Sequence, residues 1–155
     1  VNIIPIKKEF FKVGRIKVKF IKVPHPPLKE SYAYKFIGSK KIVFSGDTRY
    51  FQPLASFSKK SDVLVHEAIL PEYIDQIVKK TGLSLKLKKH LKSSHTKLDE
   101  VIKIAKLSNC KMLVINHLIP NDNTKKQKIE WQKKVNNKIN TKVIVGQDKL
   151  RIRIS

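Results

Sequence analysis

Cysteine is nearly absent: Cys110 is the only one in 155 residues. No internal disulfide can form and no cysteine-based zinc site can be built, and the lack of disulfides favours a cytoplasmic location. Cys110 adjoins the apolar run 112–115, so a buried, inert thiol is expected. Long apolar stretches are missing too. None approaches the roughly 18 residues of a membrane-spanning helix, and no membrane partner is expected. Arginine is scarce, with only Arg15, Arg49, Arg151 and Arg153 among 34 basic residues. Acidic residues number 12, which leaves a net charge of +22. Such a field attracts polyanions and can steer nucleic acid. Arginine, however, is the better reader of phosphate and bases. The wealth of Lys, Asn and Ile leaves two origins of the charge open: drift of an AT-rich genome, or a polyanion-binding surface.

What is present suits one domain. Hydrophobic residues make up 41% of the chain, enough for a packed core. The first residue is Val1, so a chain trimmed or incomplete at its start is expected. Residues 15–23 alternate basic and apolar, the period of a half-exposed strand, and Pro24, Pro26 and Pro27 end it. Residues 32–37 and 41–45 read as a hairpin around Gly38-Ser39. A helix is expected over 50–59, a buried strand over 62–66, and a helix over 70–80 ended by Gly82. The clearest helix is 97–107, with Leu98, Val101, Ile102 and Ala105 at helical spacing and Thr96 as its N-cap. A buried strand over 111–115, a basic helix over 124–137 and two strands around Gly146 close the chain. Strands followed by alternating helices and strands predict an α/β layered domain.

Five histidines occur: His25, His66, His90, His95 and His117. His25, His66 and His117 fall at or just after predicted strand ends, as does Asp47, and His95 precedes the capped helix. His90, in K-L-K-K-H, is expected to be exposed. Strand ends on one edge of a layered sheet gather site residues. Imidazole and carboxylate together suit zinc and similar divalent metals. Composition and spacing go no further than that.

Five segments then carry a resemblance. They are V-P-H-P-P-L-K-E-S-Y-A-Y-K-F (23–36), K-I-V-F-S-G-D-T-R-Y (41–50), D-V-L-V-H-E-A (62–68), S-H-T-K-L-D-E-V-I-K-I-A (94–105) and K-M-L-V-I-N-H-L-I-P (111–120). In order and spacing the chain resembles the second half of metallo-β-lactamase-fold hydrolases, in the ribonuclease Z and zinc arylsulfatase-like branch. The resemblance implies half of an αβ/βα sandwich: a mixed sheet with helices on one face, residues 1–155 forming the C-terminal half of the fold. It implies a centre of two divalent metal ions, zinc above all. His25, Asp47 and His117 resemble its ligands, Asp47 bridging both ions. Such a pair lowers the pKa of a bound water, which becomes the nucleophile. His95 resembles the branch's proton donor to the leaving oxygen, and Glu67 the carboxylate that orients it. His66 and Thr48 are expected to support the site from behind.

Two departures bear on this. The family's H-x-H-x-D-H motif is nowhere in the sequence, and the resemblance places it upstream of Val1. His25, Asp47 and His117 alone would give each metal about two protein ligands, below the usual three or four. After His117 the sequence reads Leu-Ile-Pro-Asn, where ribonuclease Z shows a Ser-x-Arg-Tyr-like continuation. The leading expectation is therefore hydrolysis of a phosphodiester or sulfate ester. A tRNA 3′-end endonuclease and a non-catalytic basic RNA-binding domain are the alternatives. The expected partners are the absent half of the fold and a small ester substrate or RNA. Without that half, apolar sheet surface should be exposed, and the chain should aggregate or pair with itself as a homodimer.

Overall fold

The alternation over 15–23 produces β2 (Ile16–Lys22), with Val18 buried and its neighbours wetter. It pairs antiparallel with β1 (Phe10–Val13), which the sequence had not marked, and with β3 (Tyr32–Ile37). The computed structural model describes residues 10–82, 85–121, 124–136 and 138–154. Gly38-Ser39 turns β3 into β4 (Lys41–Phe44), the expected hairpin. From there the pairing is parallel. β5 (Val63–Ile69), β6 (Met112–Ile119) and β7 (Lys142–Val145) join in sequence order, completing a mixed seven-stranded sheet.

Crossovers between the parallel strands carry the helices, as that topology requires. They are α1 (Pro53–Phe57), a 3₁₀ turn Pro71–Tyr73 leading into α2 (Ile74–Thr81), α3 (Leu85–Ser94), α4 (Leu98–Ser108) and α5 (Lys125–Val135). Leu54 of α1, Val101 and Ile104 of α4 and Trp131 of α5 pack with Val43, Leu64, Leu113 and Val145 of the sheet in one core. Trp131 is fully buried and its indole N–H donates to the Pro120 carbonyl at 3.1 Å. Deleting a core aromatic of that size costs roughly 3–5 kcal/mol. Cys110 is buried in the same core, and burial raises its thiol pKa.

The opposite face of the sheet is thinly covered. Val63, Met112 and Val114 meet Ile152 and Ile154 of the C-terminal segment there. Phe36 and Phe44 stack edge to face at 5.8 Å, and Phe44 is 42% exposed.

Several boundaries move. The helix expected over 50–59 shrinks to the five residues of α1. α3 forms in the lysine-rich stretch after Gly82, which carries no clean apolar stripe: Leu91 and Ser94 are its buried residues. Thr96 is not the cap of α4. Lys97 holds that position, and Glu100 reaches back to accept its backbone N–H at 3.0 Å. The Thr96 hydroxyl donates to the Thr48 carbonyl at 2.6 Å, an alternative the pattern could not show. Thr124, expected as the first residue of the basic helix, is instead the cap of α5, accepting the Gln127 N–H, while residue 137, the expected end of that helix, lies outside the described residues. Of the two closing strands only β7 forms among the described residues. The chain beyond Gly146 crosses to the thin face as irregular backbone.

Candidate metal centre

The site starts at the turn after β4. Gly46 has φ +61, and a Cβ there would lie 2.7 Å from the Tyr32 carbonyl oxygen. Only glycine combines that conformation with that approach. The turn delivers Asp47 to the C-terminal edge of the parallel strands, with the Ser31 hydroxyl donating to the Asp47 carbonyl at 3.1 Å.

His117 arrives from β6 by another irregularity. Asn116 pairs with Glu67 and Leu118 with Ala68, so His117 is the extra residue of a bulge, with φ +42. A bulge re-aims the side chain it carries. Its Nε2 faces Asp47 Oδ2 at 3.6 Å, and both side chains are open to solvent. The strand runs on past His117, and β5 likewise runs on past His66; neither histidine ends its strand as expected.

His25 follows the Pro-rich end of β2. Its Nδ1 donates to the Ser94 carbonyl at 2.9 Å, because a carbonyl can only accept. Nε2 keeps its lone pair, the arrangement that orients a metal-binding imidazole. The ring lies 5.2 Å from that of His95, which in turn stacks on His117 at 5.5 Å. These three imidazoles and Asp47 thus share one edge of the sheet.

Glu67 sits beneath them, 1% exposed on β5. Its Oε1 accepts the N–H groups of Thr48 at 3.0 Å and Thr96 at 3.3 Å, and its Oε2 bonds His95 Nδ1 at 3.1 Å. Burial pushes its pKa up, and the His95 bond and the two backbone donors pull against that. Three converging donors are what a charged carboxylate needs in a buried place. Burial also disfavours the charged form of His95, but the hydrogen bond and charge of Glu67, with Asp47 adding, win and raise the His95 pKa. Thr48 is fully buried, and its hydroxyl donates to the Arg49 carbonyl at 2.8 Å, pinning the Asp47 turn.

His90 was expected to be exposed and is not. It is half-buried on α3, with its ring 6.1 Å from both His25 and His95. Its Nδ1 meets the Ser94 hydroxyl at 3.2 Å, and that hydroxyl donates to the Pro26 carbonyl at 2.5 Å. One hydroxyl proton serves one acceptor, so Nδ1 of His90 is the donor and its Nε2 is free. The sequence missed this residue because its placement depends on α3. The i, i+4 spacing of His90 and Ser94 was the one available signal.

His66 is fully buried on β5, next in sequence to Glu67. Its Nδ1 donates to the Glu67 carbonyl at 2.7 Å, while Nε2 has no hydrogen-bond partner among the described residues. Burial pushes its pKa down to about 4. An unfolded histidine titrates near 6.5. Between those values the unfolded chain binds a proton the folded chain refuses, so stability is kept above pH 6.5 and lost as pH falls to 4. The loss should reach about 3 kcal/mol. Urea unfolding at pH 7 and pH 4.5 should show it. His66→Asn, which keeps an N–H donor, should flatten the slope, and an unchanged slope would rule out His66 as the group.

His25, Asp47 and His117 offer the nitrogen and oxygen donors that divalent metals take. Among the described residues, though, no group of three or more His, Cys, Asp or Glu is placed to hold an ion. The donors fit part of a centre and do not close one.

The chain has the metallo-β-lactamase fold: it superposes on the metallo-β-lactamase fold protein YhfI of Bacillus subtilis with a TM-score of 0.66 at 19% identity, covering 89% of this chain and 48% of that one. Within that class its sequence is similar to ribonuclease Z. It is 29% identical over 102 residues to ribonuclease Z 1 of Schizosaccharomyces pombe, covering 64% of this chain and 11% of that protein. It is 27% identical over 115 residues to ribonuclease Z of Pyrococcus furiosus, covering 74% and 30%. The chain therefore spans less than a third of the length of these two relatives. No family model matches it.

Proposed function

We propose that this chain is the C-terminal half of a metal-dependent phosphodiesterase that cleaves RNA. The observation that carries the reading is the buried Glu67–His95 pair set beside the open Asp47–His117 pair, 3.1 Å and 3.6 Å across respectively. One pair suits holding and releasing a proton, the other suits metal. The similarity to ribonuclease Z supports phosphodiester over sulfate ester and moves the tRNA-processing alternative ahead.

His25, Asp47 and His117 would hold two divalent ions, zinc being the first candidate, together with ligands from an H-x-H-x-D-H segment upstream. Bound ions would supply Lewis acidity and a lowered water pKa. The residues of this chain do the rest. Glu67 fixes Nδ1–H of His95, which leaves Nε2 as the nitrogen that can face substrate. The raised pKa of His95 keeps it a proton donor further into the neutral range, where the leaving oxygen needs one. The upstream half would cover the thin face around Phe36 and Phe44.

Sulfate ester hydrolysis remains the second reading, because Leu118-Ile119-Pro120-Asn121 replaces the ribonuclease Z continuation after His117. The test uses the full protein, metal-loaded, with an aryl phosphodiester, an aryl sulfate and a tRNA precursor bearing a 3′ trailer. Phosphodiester and precursor should be cleaved with kcat/KM at least about tenfold above the sulfate, a gap of about 1.4 kcal/mol. Preference for the sulfate would overturn the proposal.

A further inference from the structure

Two hydroxyl residues flank His95, and neither hydroxyl serves the helix that follows. Ser94 and Thr96 are both fully buried. The Ser94 hydroxyl donates to the Pro26 carbonyl at 2.5 Å, and the Thr96 hydroxyl donates to the Thr48 carbonyl at 2.6 Å. Each therefore reaches a different loop, and each loop carries a candidate metal ligand: His25 in one, Asp47 in the other. The His25 loop has few other means of attachment. Pro24, Pro26 and Pro27 have no N–H to donate, so its carbonyls and the His25 ring must hold it. The Pro24 carbonyl takes the Arg49 N–H at 2.9 Å, and His25 Nδ1 donates to the Ser94 carbonyl at 2.9 Å. His90 Nδ1 donates to the Ser94 hydroxyl oxygen at 3.2 Å, which leaves the hydroxyl proton for Pro26.

These bonds close a circuit of three segments. Residues 24–26 join 47–49 through Pro24 and Arg49, and 47–49 join 94–96 through Thr48 and Thr96. Residues 94–96 return to 24–26 through Ser94. Glu67 ties the last two segments from beneath, through the N–H groups of Thr48 and Thr96. A buried hydroxyl costs free energy unless it is bonded, so an apolar core has no use for one here. A fully bonded buried network does something else: it rigidifies what it joins. We infer that Ser94 and Thr96 are positioning residues that set how far His95 stands from the metal-holding loops, Ser94 acting through His25 and Thr96 through Asp47. The inference rests on the reading of His25 and Asp47 as ligands. An outer partner that holds a metal ligand in place is typically worth 10–100-fold in metal affinity or activity.

Zinc affinity of the full protein, measured by competition with a chromophoric chelator, tests it, with kcat, KM and thermal unfolding measured alongside. Thr96→Val keeps the side-chain shape and loses the hydroxyl; Thr96→Ser keeps the hydroxyl and loses a methyl. The valine variant should bind zinc about tenfold or more weakly, and the serine variant as the unaltered protein does. Asp47 is proposed to bridge both ions, so Thr96→Val should weaken both. Ser94→Ala should weaken only the ion that His25 holds, by a similar factor. Saturated with zinc, both Thr96→Val and Ser94→Ala should lose kcat on an aryl phosphodiester with KM little changed, because a misplaced His95 fails in bond breaking and not in binding. Ile104→Val, in the main core, controls for lost stability and should keep its zinc affinity. Unchanged zinc affinity in Thr96→Val and Ser94→Ala would overturn the inference. So would a loss that Thr96→Ser shares, or one that Ile104→Val matches. An unaltered protein that holds no zinc refutes the ligand reading and the positioning with it. A protein that binds zinc, weakens as expected in these variants and cleaves no phosphodiester refutes the nuclease reading and keeps the positioning.

Discussion

Asp47→Ala in the full protein is expected to remove bound metal and activity together. The side chain stands on a turn that Gly46 alone permits, and it faces His117 Nε2 at 3.6 Å across an open edge. Removing even an outer partner of a metal ligand typically costs 10–100-fold in affinity or turnover. A ligand proposed to bridge two ions should cost more, so activity should fall at least about 100-fold with near-complete metal loss. Stability of the apoprotein should barely change, since this carboxylate is exposed and surface changes usually stay within about 0.5 kcal/mol. Elemental analysis, turnover and thermal unfolding of the same preparation decide the matter. Asp47→Asn, which keeps size and removes charge, separates loss of charge from loss of bulk. If Asp47→Ala kept its metal and its rate, the assignment of Asp47 would be wrong, and the Asp47–His117 contact would be a surface ion pair of the ordinary weak kind.

The sheet was legible because its residues obey strong, local rules. The alternation of β2, the Gly38-Ser39 hairpin and the continuous apolar runs of β5 and β6 each follow from one segment of sequence. A strand buried on both faces has no alternation to display, and β5 accordingly carries His66 and Glu67 into the interior within an apolar run. What stayed hidden depends on partners distant in sequence. β1 is a short edge strand whose pattern carries little signal, and the closing strand after Gly146 fails because Ile152 and Ile154 find apolar cover on the sheet face instead. Thr96 looks like a cap on any helical wheel, and only the Thr48 carbonyl 48 residues away claims its hydroxyl.

The site follows the same division. Asp47, His95 and His117 could be picked out by resemblance, yet what aims them could not. The bulge that makes His117 an unpaired residue depends on the register between β5 and β6, and a one-residue difference there would turn the side chain elsewhere. His90 enters the cluster through the His90–Ser94–Pro26 chain of hydrogen bonds, which joins a lysine-rich helix to a proline turn more than sixty residues earlier. No local pattern encodes such a meeting.

Substitution of His95 should fail differently from Asp47, and the difference isolates proton transfer. His95→Ala should leave metal content near normal while lowering turnover by about 10²–10⁴-fold, the usual worth of a general acid. The loss should shrink along a series of phosphodiesters with increasingly good leaving groups, because a weakly basic leaving oxygen needs little protonation. His95→Ala also strips one of three donors from the buried Glu67 carboxylate, and an uncompensated buried acceptor costs roughly 1–3 kcal/mol. His95→Gln is therefore the better variant, since its amide N–H can still serve Glu67 while it cannot donate an imidazolium proton. The pH profile gives an independent reading. Glu67 and Asp47 raise the His95 pKa against the cost of burial, so the protonated form persists to higher pH in the folded protein. Activity that needs this proton should fall as pH rises through the raised pKa. Glu67→Gln should shift that basic limb to lower pH, with its zinc content as a check that the edge is intact. A uniform loss across all leaving groups, or a limb that Glu67→Gln leaves in place, would make His95 a binding or structural residue, and loss of metal with His95→Ala would make it a ligand.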